Sequence, residues 1–514
     1  MKKWIVFLTV FLITFGMLTG CGSTAGEESG AANTFSVGYS KIVISPEKSV
    51  YLKGHNDPIE ERMSTGVGDD LYANCIAMTD EDGQTIIFIA TDLLYVTEKF
   101  STPIRKEISE LTGVPLDYIF LHCSHSHSGP DTSDGTYYQL LKTRCIQVAQ
   151  EAMADRKPAQ MYTTFTRPEK GITFVRHYLL SDGSYRAEKV GSVKKVDIIG
   201  HATQADDLLQ LIKFTREGGK DVVLMNWQGH PWGNEPYSYT TATCNYPGIM
   251  RKTVEEGLDC LGVFVLSGSG NLNNASQIEE ENQFATHLEL GQGLGQLAIE
   301  AAANFQPAQT GKICLEKGIL TRVRKAATEK DYDIQLYGFS FGEVAFATCP
   351  FEAFDTNAMA VKENSKFKMT FYASVTNDWQ CYLPTPPSWD WEHQYEVRVT
   401  FFPKGTAEDV ETEMRAIMDR LFEASGNEEA EKPEGYIHTI KKPATDGKSY
   451  VVLSAGDTTA YEAVNNGFFS LQLLNGTTLK KILVRDEALA QEILSRSTVS
   501  LLFDYQGVVT GIAE

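Results

Sequence analysis

The densest group of chemically able side chains in this sequence is His122-Cys123-Ser124-His125-Ser126-His127-Ser128-Gly129-Pro130, which holds three of the chain's ten histidines within six positions. Histidine is the commonest metal ligand. The run follows the strand-like stretch 117–122 (DYIFLH). Side chains alternate along a strand, so His125 and His127 would share a face if the strand continued. It is expected to break near Ser128-Gly129-Pro130, which leaves the histidines at its end, where sites on α/β sheets lie. His230 stands in a similar place, after the buried strand and turn 222–229 (VVLMNWQG) and before Pro231-Trp232. Glu352 follows the apolar run 344–347, and Tyr382 closes Asn377-Asp378-Trp379-Gln380-Cys381-Tyr382. Singly, each has a plainer role: a polar loop, a structural histidine before proline, a solvated acid, a core aromatic. Together, two neutral imidazoles and a carboxylate are a ligand set for catalytic zinc with one position left for water. Zinc lowers the pKa of that water to about 7. This chemistry needs distant strands to converge, and spacing alone does not establish that.

The elements that must position these residues interleave strand and helix. Residues 85–91 (TIIFIAT) form a short β-branched run, 100–111 an amphipathic helix, and 222–225 and 263–266 buried strands beside helical sequence. Such alternation predicts an α/β core. A strong amphipathic helix is expected over 406–423, followed by the polar, Pro- and Gly-containing stretch 425–435 (SGNEEAEKPEG), a linker. The tail has β-like runs at 450–454 and 499–503 and a helical stretch at 486–495, and reads as a small, mainly β appendage. The expected division is a leader 1–21, a tether 22–34, a large α/β domain 35–424, a linker 425–435 and a C-terminal β-rich domain 436–514. The sequence carries no evident internal repeat.

The first residues have the form of an export signal: Lys2 and Lys3, an uncharged apolar run over 4–18, then Leu18-Thr19-Gly20-Cys21. The run is shorter than the roughly twenty residues of a spanning helix. Its Leu-x-Gly-Cys ending resembles the lipobox of bacterial lipoproteins, in which the cysteine becomes the lipidated N-terminus. An uncleaved N-terminal anchor is the alternative. The Gly-, Ser-, Ala- and Glu-rich stretch 22–34 reads as a flexible tether. Both readings place the rest of the chain outside the membrane. Loss of Lys2 and Lys3 takes the formal net charge from −21 to −23. A chain so acidic lacks the electrostatic footprint of a nucleic-acid binder. It also disfavours long-range attraction to an anionic membrane surface, which leaves anchoring to the lipid. None of the eight cysteines after Cys21 lies in a CxxC pair, so a cysteine zinc knuckle is not expected. Export permits disulfides, but scattered spacing does not reveal any.

From about Val37 to about Leu421 the chain resembles the neutral/alkaline non-lysosomal ceramidase family. Val37-Gly38-Tyr39-Ser40-Lys41-Ile42-Val43-Ile44-Ser45-Pro46 is similar to the family's opening strand, which ends in Ile-Thr-Pro. Asp70-Leu71-Tyr72-Ala73 and the strand leading to Asp92 follow. His125-Ser126-His127-Ser128-Gly129-Pro130 is similar to the family's His-Thr-His-Ser-Gly-Pro, and Asn226-Trp227-Gln228-Gly229-His230-Pro231 to its second histidine segment. Pro350-Phe351-Glu352 stands where the family has Pro-Gly-Glu. Asn377 to Tyr382 resembles its Asn-x-x-x-x-Tyr element, and Gln394-Tyr395-Glu396 its Gln-x-Tyr-Glu element. The resemblance implies a zinc site of His125, His230, Glu352 and Tyr382, with His127 beside the metal as a catalytic residue that contacts substrate or the developing oxyanion. It implies Arg176 as the active-site arginine and Tyr395 as a hydroxyl that either supports the ligands from behind or stabilises the oxyanion. The implied reaction is amide hydrolysis: zinc-bound water attacks an N-acyl carbonyl, as in the cleavage of N-acylsphingosine.

Two departures bear on that expectation. Where the family has Gly-Asp-Val-Ser-Pro-Asn, this chain has Gly270-Asn271-Leu272-Asn273-Asn274-Ala275, so Asn273 replaces an important serine. Ser267 and Ser269 lie nearby, but Gly268-Ser269-Gly270 is not the Gly-x-Ser-x-Gly of a nucleophile elbow. A zinc–water mechanism needs no serine. The C-terminal part, about eighty residues, is shorter than the family's Ig-like domain, which opens the acyl group and head group of the substrate to change. A catalytically silent relative and an extracytoplasmic binding lipoprotein are the competing readings.

Overall fold

The computed structural model describes residues 34–513 except 56–57, 188–196, 234, 277, 279–283, 326–329, 387, 392–393 and 454–460. The leader, Cys21 and nearly all of the tether lie outside the described residues. Among the described residues, no helix is long and apolar enough to cross a membrane.

The large domain stacks four layers, in agreement with the α/β expectation. A nine-stranded sheet runs in the order Leu261–Leu266, Val222–Trp227, Leu209–Arg216, Lys157–Thr166, Ser36–Val43, Tyr72–Thr79, Thr85–Thr91, Ile119–Cys123, with Gln306–Ala308 also on Lys157–Thr166. One face packs on a second sheet, in the order Ile313–Val323, Asp331–Phe341, Val344–Thr348, Met369–Ala373. Phe88, Phe120, Val263, Phe339, Phe341, Phe346 and Phe371 fill the space between the sheets. The other face of the large sheet is covered by helices Glu98–Thr112 and Gly135–Ala154 on one half and by Asn245–Leu258 and His287–Ala301 on the other. Helices Asp355–Asn364 and Thr406–Ser425 cover the outside of the second sheet. Burial on both faces is why TIIFIAT and VVLMNW are continuous apolar runs and do not alternate.

The large sheet follows one path twice. An antiparallel pair leads through a helix to an edge strand parallel to the pair's second member, and a second helix returns the chain to the middle. The intervening steps are antiparallel, so the two edge pairs would run in opposite directions in a flat sheet. A twist of about 20–25° per strand accumulates to roughly 150° across eight strands and turns them nearly the same way. The sheet also curls until its edges meet: the Leu266 amide donates to His122 Nε2 at 2.9 Å. The segment leaving Met369–Ala373 is wedged into this seam. Ser374 N donates to Leu266 O at 3.0 Å and Asn377 N to Leu121 O at 2.8 Å.

His122 is therefore a staple of the seam. Its Nε2 is an acceptor, so Nδ1 carries the proton and donates to Thr376 Oγ1 at 3.0 Å. Burial pushes its pKa down to about 3, against about 6.5 for a free histidine. The unfolded chain thus takes up this proton first. Stability is full above about pH 6.5 and falls as pH drops toward 3, by about 3 kcal/mol between pH 6.5 and 4 from this group alone. Urea unfolding of the parent and of His122→Gln across that range checks this: the variant is expected to start lower and to show a shallower acid slope.

The C-terminal module is a seven-stranded sheet from Ala444–Thr445 to Val508–Ala513, with helix Glu487–Leu494 on it. Tyr436, the first residue of the expected module, instead has its ring in the inter-sheet core, where its hydroxyl accepts from Gln210 Nε2 at 2.8 Å. The module docks on the large domain at Leu179, Tyr185 and Ile199, which pack with Phe468, Leu483 and Val508.

Candidate metal centre

The strand Ile119–Cys123 ends one residue before Ser124, earlier than the break expected near Ser128. His125 takes a left-handed φ of 66° and its amide donates to Leu93 O at 2.9 Å, so the chain turns back across the sheet's end. The turn, not a strand face, brings His125 and His127 together. Val222–Trp227 ends at the same place and delivers His230. The ring centroids of His125, His127 and His230 are each 4.9 Å from the other two.

Each ring is held by one backbone carbonyl. Nδ1 of His125 donates to Leu94 O at 2.9 Å, Nδ1 of His127 to Gly54 O at 2.7 Å, and Nδ1 of His230 to Ser269 O at 3.1 Å. Carbonyls only accept, so all three rings carry the proton on Nδ1 and turn the Nε2 lone pair inward, the orientation metal-binding histidines adopt. These three side chains form one buried group whose ligand atoms lie within 4.8 Å of one another. Nε2 of His127 lies 3.0 Å from Nε2 of His230. Nε2 of His125 lies 3.1 Å from Oε2 of Glu352. That last pair is close enough to bond, yet both atoms are buried without a hydrogen bond. Neighbouring ligands of a tetrahedral zinc at 2.0–2.1 Å stand roughly 3.3 Å apart, close to these spacings. Converging acceptors with no donor between them fit a cation.

The protonation states agree. Burial and then the neighbouring His125 push His230 down to about 3. Burial and the adjacent histidines hold His127 well below its usual value. Burial raises the Glu352 carboxyl, but His125, His230 and the Trp379 indole outweigh it and hold it at about 2. At neutral pH the site offers neutral imidazoles at His127 and His230 and a carboxylate at Glu352. The indole N–H of Trp379 fixes Oε1 of Glu352 at 2.8 Å, leaving Oε2 to the centre.

Tyr382 faces Glu352 in a two-residue parallel ladder, and the guanidinium of Arg176 lies 5.4 Å from the centre of its ring. Arg176 is clamped: Nε donates to Glu396 Oε1 at 2.5 Å and a terminal nitrogen to Gly270 O at 2.7 Å. The other oxygen of Glu396 accepts from His177 Nε2 at 3.2 Å. Tyr395 is 36 % exposed, with its ring 5.7 Å from that of Tyr382, so it stands at the solvent side of Tyr382. Asn273 sits opposite Phe174 in a short ladder beside Arg176. The asparagine that reaches the histidines is its neighbour: Asn274 Nδ2 donates to His230 O at 2.7 Å. His125, His127, His230 and Glu352 thus form one cluster, with Tyr382 and Arg176 on one flank. Cys349 and Cys381, both near this cluster, are free buried thiols, as are the other six described cysteines.

Several supporting residues escaped the sequence reading. Glu396 was visible only as part of Gln394-Tyr395-Glu396. His55 lies edge-on to His127 with ring centroids 5.7 Å apart. The fully buried Arg62 donates to the carbonyls of His127 at 2.8 Å and Tyr239 at 2.6 Å. Gly54, whose carbonyl orients His127, has φ 122°, and a Cβ there would stand 2.8 Å from His127 Cα. Gly54→Ala is expected to destabilise the protein by about 1–3 kcal/mol and to weaken zinc binding by about tenfold, checked by urea melts and chelator competition.

No protein-family model and no curated protein matches the chain. Among solved structures, it is similar to the neutral ceramidase from Pseudomonas aeruginosa, with a TM-score of 0.62 and 12% sequence identity over 87% of this chain and 92% of that one. A ceramidase complexed with C2 is similar at a TM-score of 0.62 and 11% identity, with the same coverage. Likeness at this identity concerns architecture: the chain has the fold of the neutral ceramidases.

Proposed function

We propose that this chain is a zinc-dependent amidohydrolase of ceramidase type, which cleaves the carbon–nitrogen bond of a linear N-acyl amide. The observation that carries the reading is the inward convergence of three buried Nε2 lone pairs and one carboxylate oxygen, each fixed from behind. The fold shared with neutral ceramidases supports it. His125, His230 and Glu352 would hold the metal; the geometry adds His127 to that set, and the family resemblance adds Tyr382. Zinc there would supply a Lewis acid and a source of nucleophile at neutral pH. Arg176, locked by Glu396 and Gly270, presents a fixed positive charge beside Tyr382, where it can stabilise negative charge developing on a carbonyl oxygen. Tyr395, on the solvent side of Tyr382, adds a hydroxyl that can contact the same oxygen. Arg176, whose side chain is only 15 % exposed, acts in a lowered local dielectric, which strengthens its interaction.

The test is zinc analysis of the soluble fragment that begins after Cys21, together with release of fatty acid from N-acylsphingosine and from shorter N-acyl amides. Zinc with amide cleavage is expected; a metal-free protein inert toward every acyl amide would sink the reading. Asn273, standing where the resembled family has a serine, favours one other outcome, a catalytically altered relative. Bound zinc without turnover on a broad amide and ester panel would establish that instead. The lipid anchor at Cys21 and the extracytoplasmic location belong to the same proposal. Cys21→Ala is expected to move the protein from the membrane fraction to the soluble one.

A further inference from the structure

Behind the metal centre lies a buried polar network with no part in the chemistry described above. Asp355 opens the helix Asp355–Asn364, three residues after Glu352. Its side chain and backbone bridge Asn271 at two points: Asn271 Nδ2 donates to Asp355 Oδ1 at 2.7 Å, and Asp355 N donates to Asn271 Oδ1 at 2.9 Å. The second carboxylate oxygen of Asp355 accepts from Asp206 N at 3.0 Å. Asp206 in turn accepts from Gln228 Nε2 at its carbonyl, at 2.7 Å, and pairs with Lys362 through its carboxylate. Asp206, Gln228, Asn271, Asp355 and Lys362 are each at most 2 % exposed.

The backbone around Asn271 does the positioning. Asn271 O accepts from Arg176 N at 2.9 Å, Gly270 O from the Arg176 guanidinium at 2.7 Å, and Ser269 O from His230 Nδ1 at 3.1 Å. Gly270 N donates to Ala353 O at 2.8 Å, next to Glu352. A Cβ on Gly270 would lie 2.4 Å from Glu352 O, so the two segments are in direct backbone contact. Three carbonyls in a row therefore aim one ligand histidine and the arginine, and the side chain that anchors this stretch from behind is that of Asn271. Gln228, two residues before His230, is tied to the same network through Asp206.

We infer that Asp355 is a positioning residue of the metal centre: through Asn271 and Asp206 it sets the carbonyls that orient His230 and Arg176 relative to Glu352. Both carboxylate oxygens of Asp355 are used as acceptors, so Asp355→Asn must lose one of them and set an amide N–H₂ against a donor. Asn271→Asp places a second carboxylate oxygen against Asp355 Oδ1. The exchange of the two, Asn271→Asp with Asp355→Asn, restores both hydrogen bonds between them, one reversed in direction, and keeps an acceptor for Asp206 N.

The inference rests on the zinc reading, and the experiment separates their failures. Zinc affinity of the parent and the three variants is measured by chelator competition on folded protein, well below the unfolding midpoint. Zinc absent from the parent would reject the metal centre itself. With zinc in the parent, each single variant is expected to bind it about 10–100-fold more weakly, and the exchanged pair to return to within a few-fold of the parent. Parental affinity in folded single variants, or an exchanged pair that folds without recovering affinity, would overturn the positioning role. If a single variant does not fold, Asn271→Ala, which removes the bridge without burying a new charge, replaces it. Failure of all of them to fold would make the pair a stability element only and would also overturn the inference.

Discussion

His230→Ala is expected to empty the metal centre of a protein that remains folded. Apparent zinc binding in four-ligand protein sites is about 10–16 kcal/mol, so one ligand of four carries about 3 kcal/mol, a loss of affinity of more than about 100-fold. The fold tolerates the change because the His230 backbone is held independently, its carbonyl accepting from Asn274. The ring's own structural contribution is one hydrogen bond to Ser269 O, worth about 1 kcal/mol. Glu352→Gln should lose zinc as strongly by a different route. The amide can donate to His125 Nε2, now 3.1 Å from a carboxylate oxygen, so the metal-free variant is expected to be at least as stable as the metal-free parent. Zinc analysis and urea melts of both proteins, with and without chelator, check the two halves. Parental zinc content in both variants would mean that metal binds elsewhere.

Glu396→Ala is expected to produce the largest loss of stability, with zinc retained. Its carboxylate is fully buried between Arg176 and His177. Burial raises its pKa, but Arg176 first and His177 second outweigh this and hold it at about 2. Removing one partner of such a pair leaves a mostly buried guanidinium uncompensated, at a cost of up to about 3–5 kcal/mol. Arg176→Met combined with Glu396→Ala should recover part of that loss, because the stranded charge goes too. The sign with pH follows from a depressed acid. The stabilisation is complete above about pH 4.3, where the carboxyl is ionised even in the unfolded chain, and is lost as pH falls toward 2. The variant should therefore show a shallower acid slope in urea melts. On the proposed amide reaction, a misplaced Arg176 is expected to lower kcat by about 10²–10³ with zinc content unchanged. Parental stability in Glu396→Ala would show that the ion pair is not formed.

Much of the architecture is legible in local sequence, because it depends on side-chain periodicity and type. TIIFIAT and VVLMNW read as strands, and the amphipathic stretch 406–423 matches the helix Thr406–Ser425, which ends at Gly426 with φ 68°. Asp486 reads as the start of the tail helix and is its cap, accepting from Ala488 N and Leu489 N. The doubled path of the large sheet is not legible, since it is a matter of strand pairing and the two halves carry different side chains. Nor is the position of Tyr436: its flanking polar residues mark a linker, while its ring fills a hole between two sheets that no local pattern describes.

By itself the sequence determined which segments are strands and helices and which side chains are able to bind a metal, because both follow from residue type and short spacing. It marked His125, His127, His230 and Glu352 as candidates but left open whether they meet. Tertiary structure decided that, through the accumulated twist and curl of one sheet, which brings its two edges to a seam sewn by His122. It also decided the tautomers, because the carbonyls of Gly54, Leu94 and Ser269 belong to segments with no chemical signature of their own. It assigned Glu396 its partner and separated Asn274, which touches the histidine segment, from Asn273, which pairs with Phe174. Each of these depends on where backbone atoms lie across long stretches of chain, and that is set by packing.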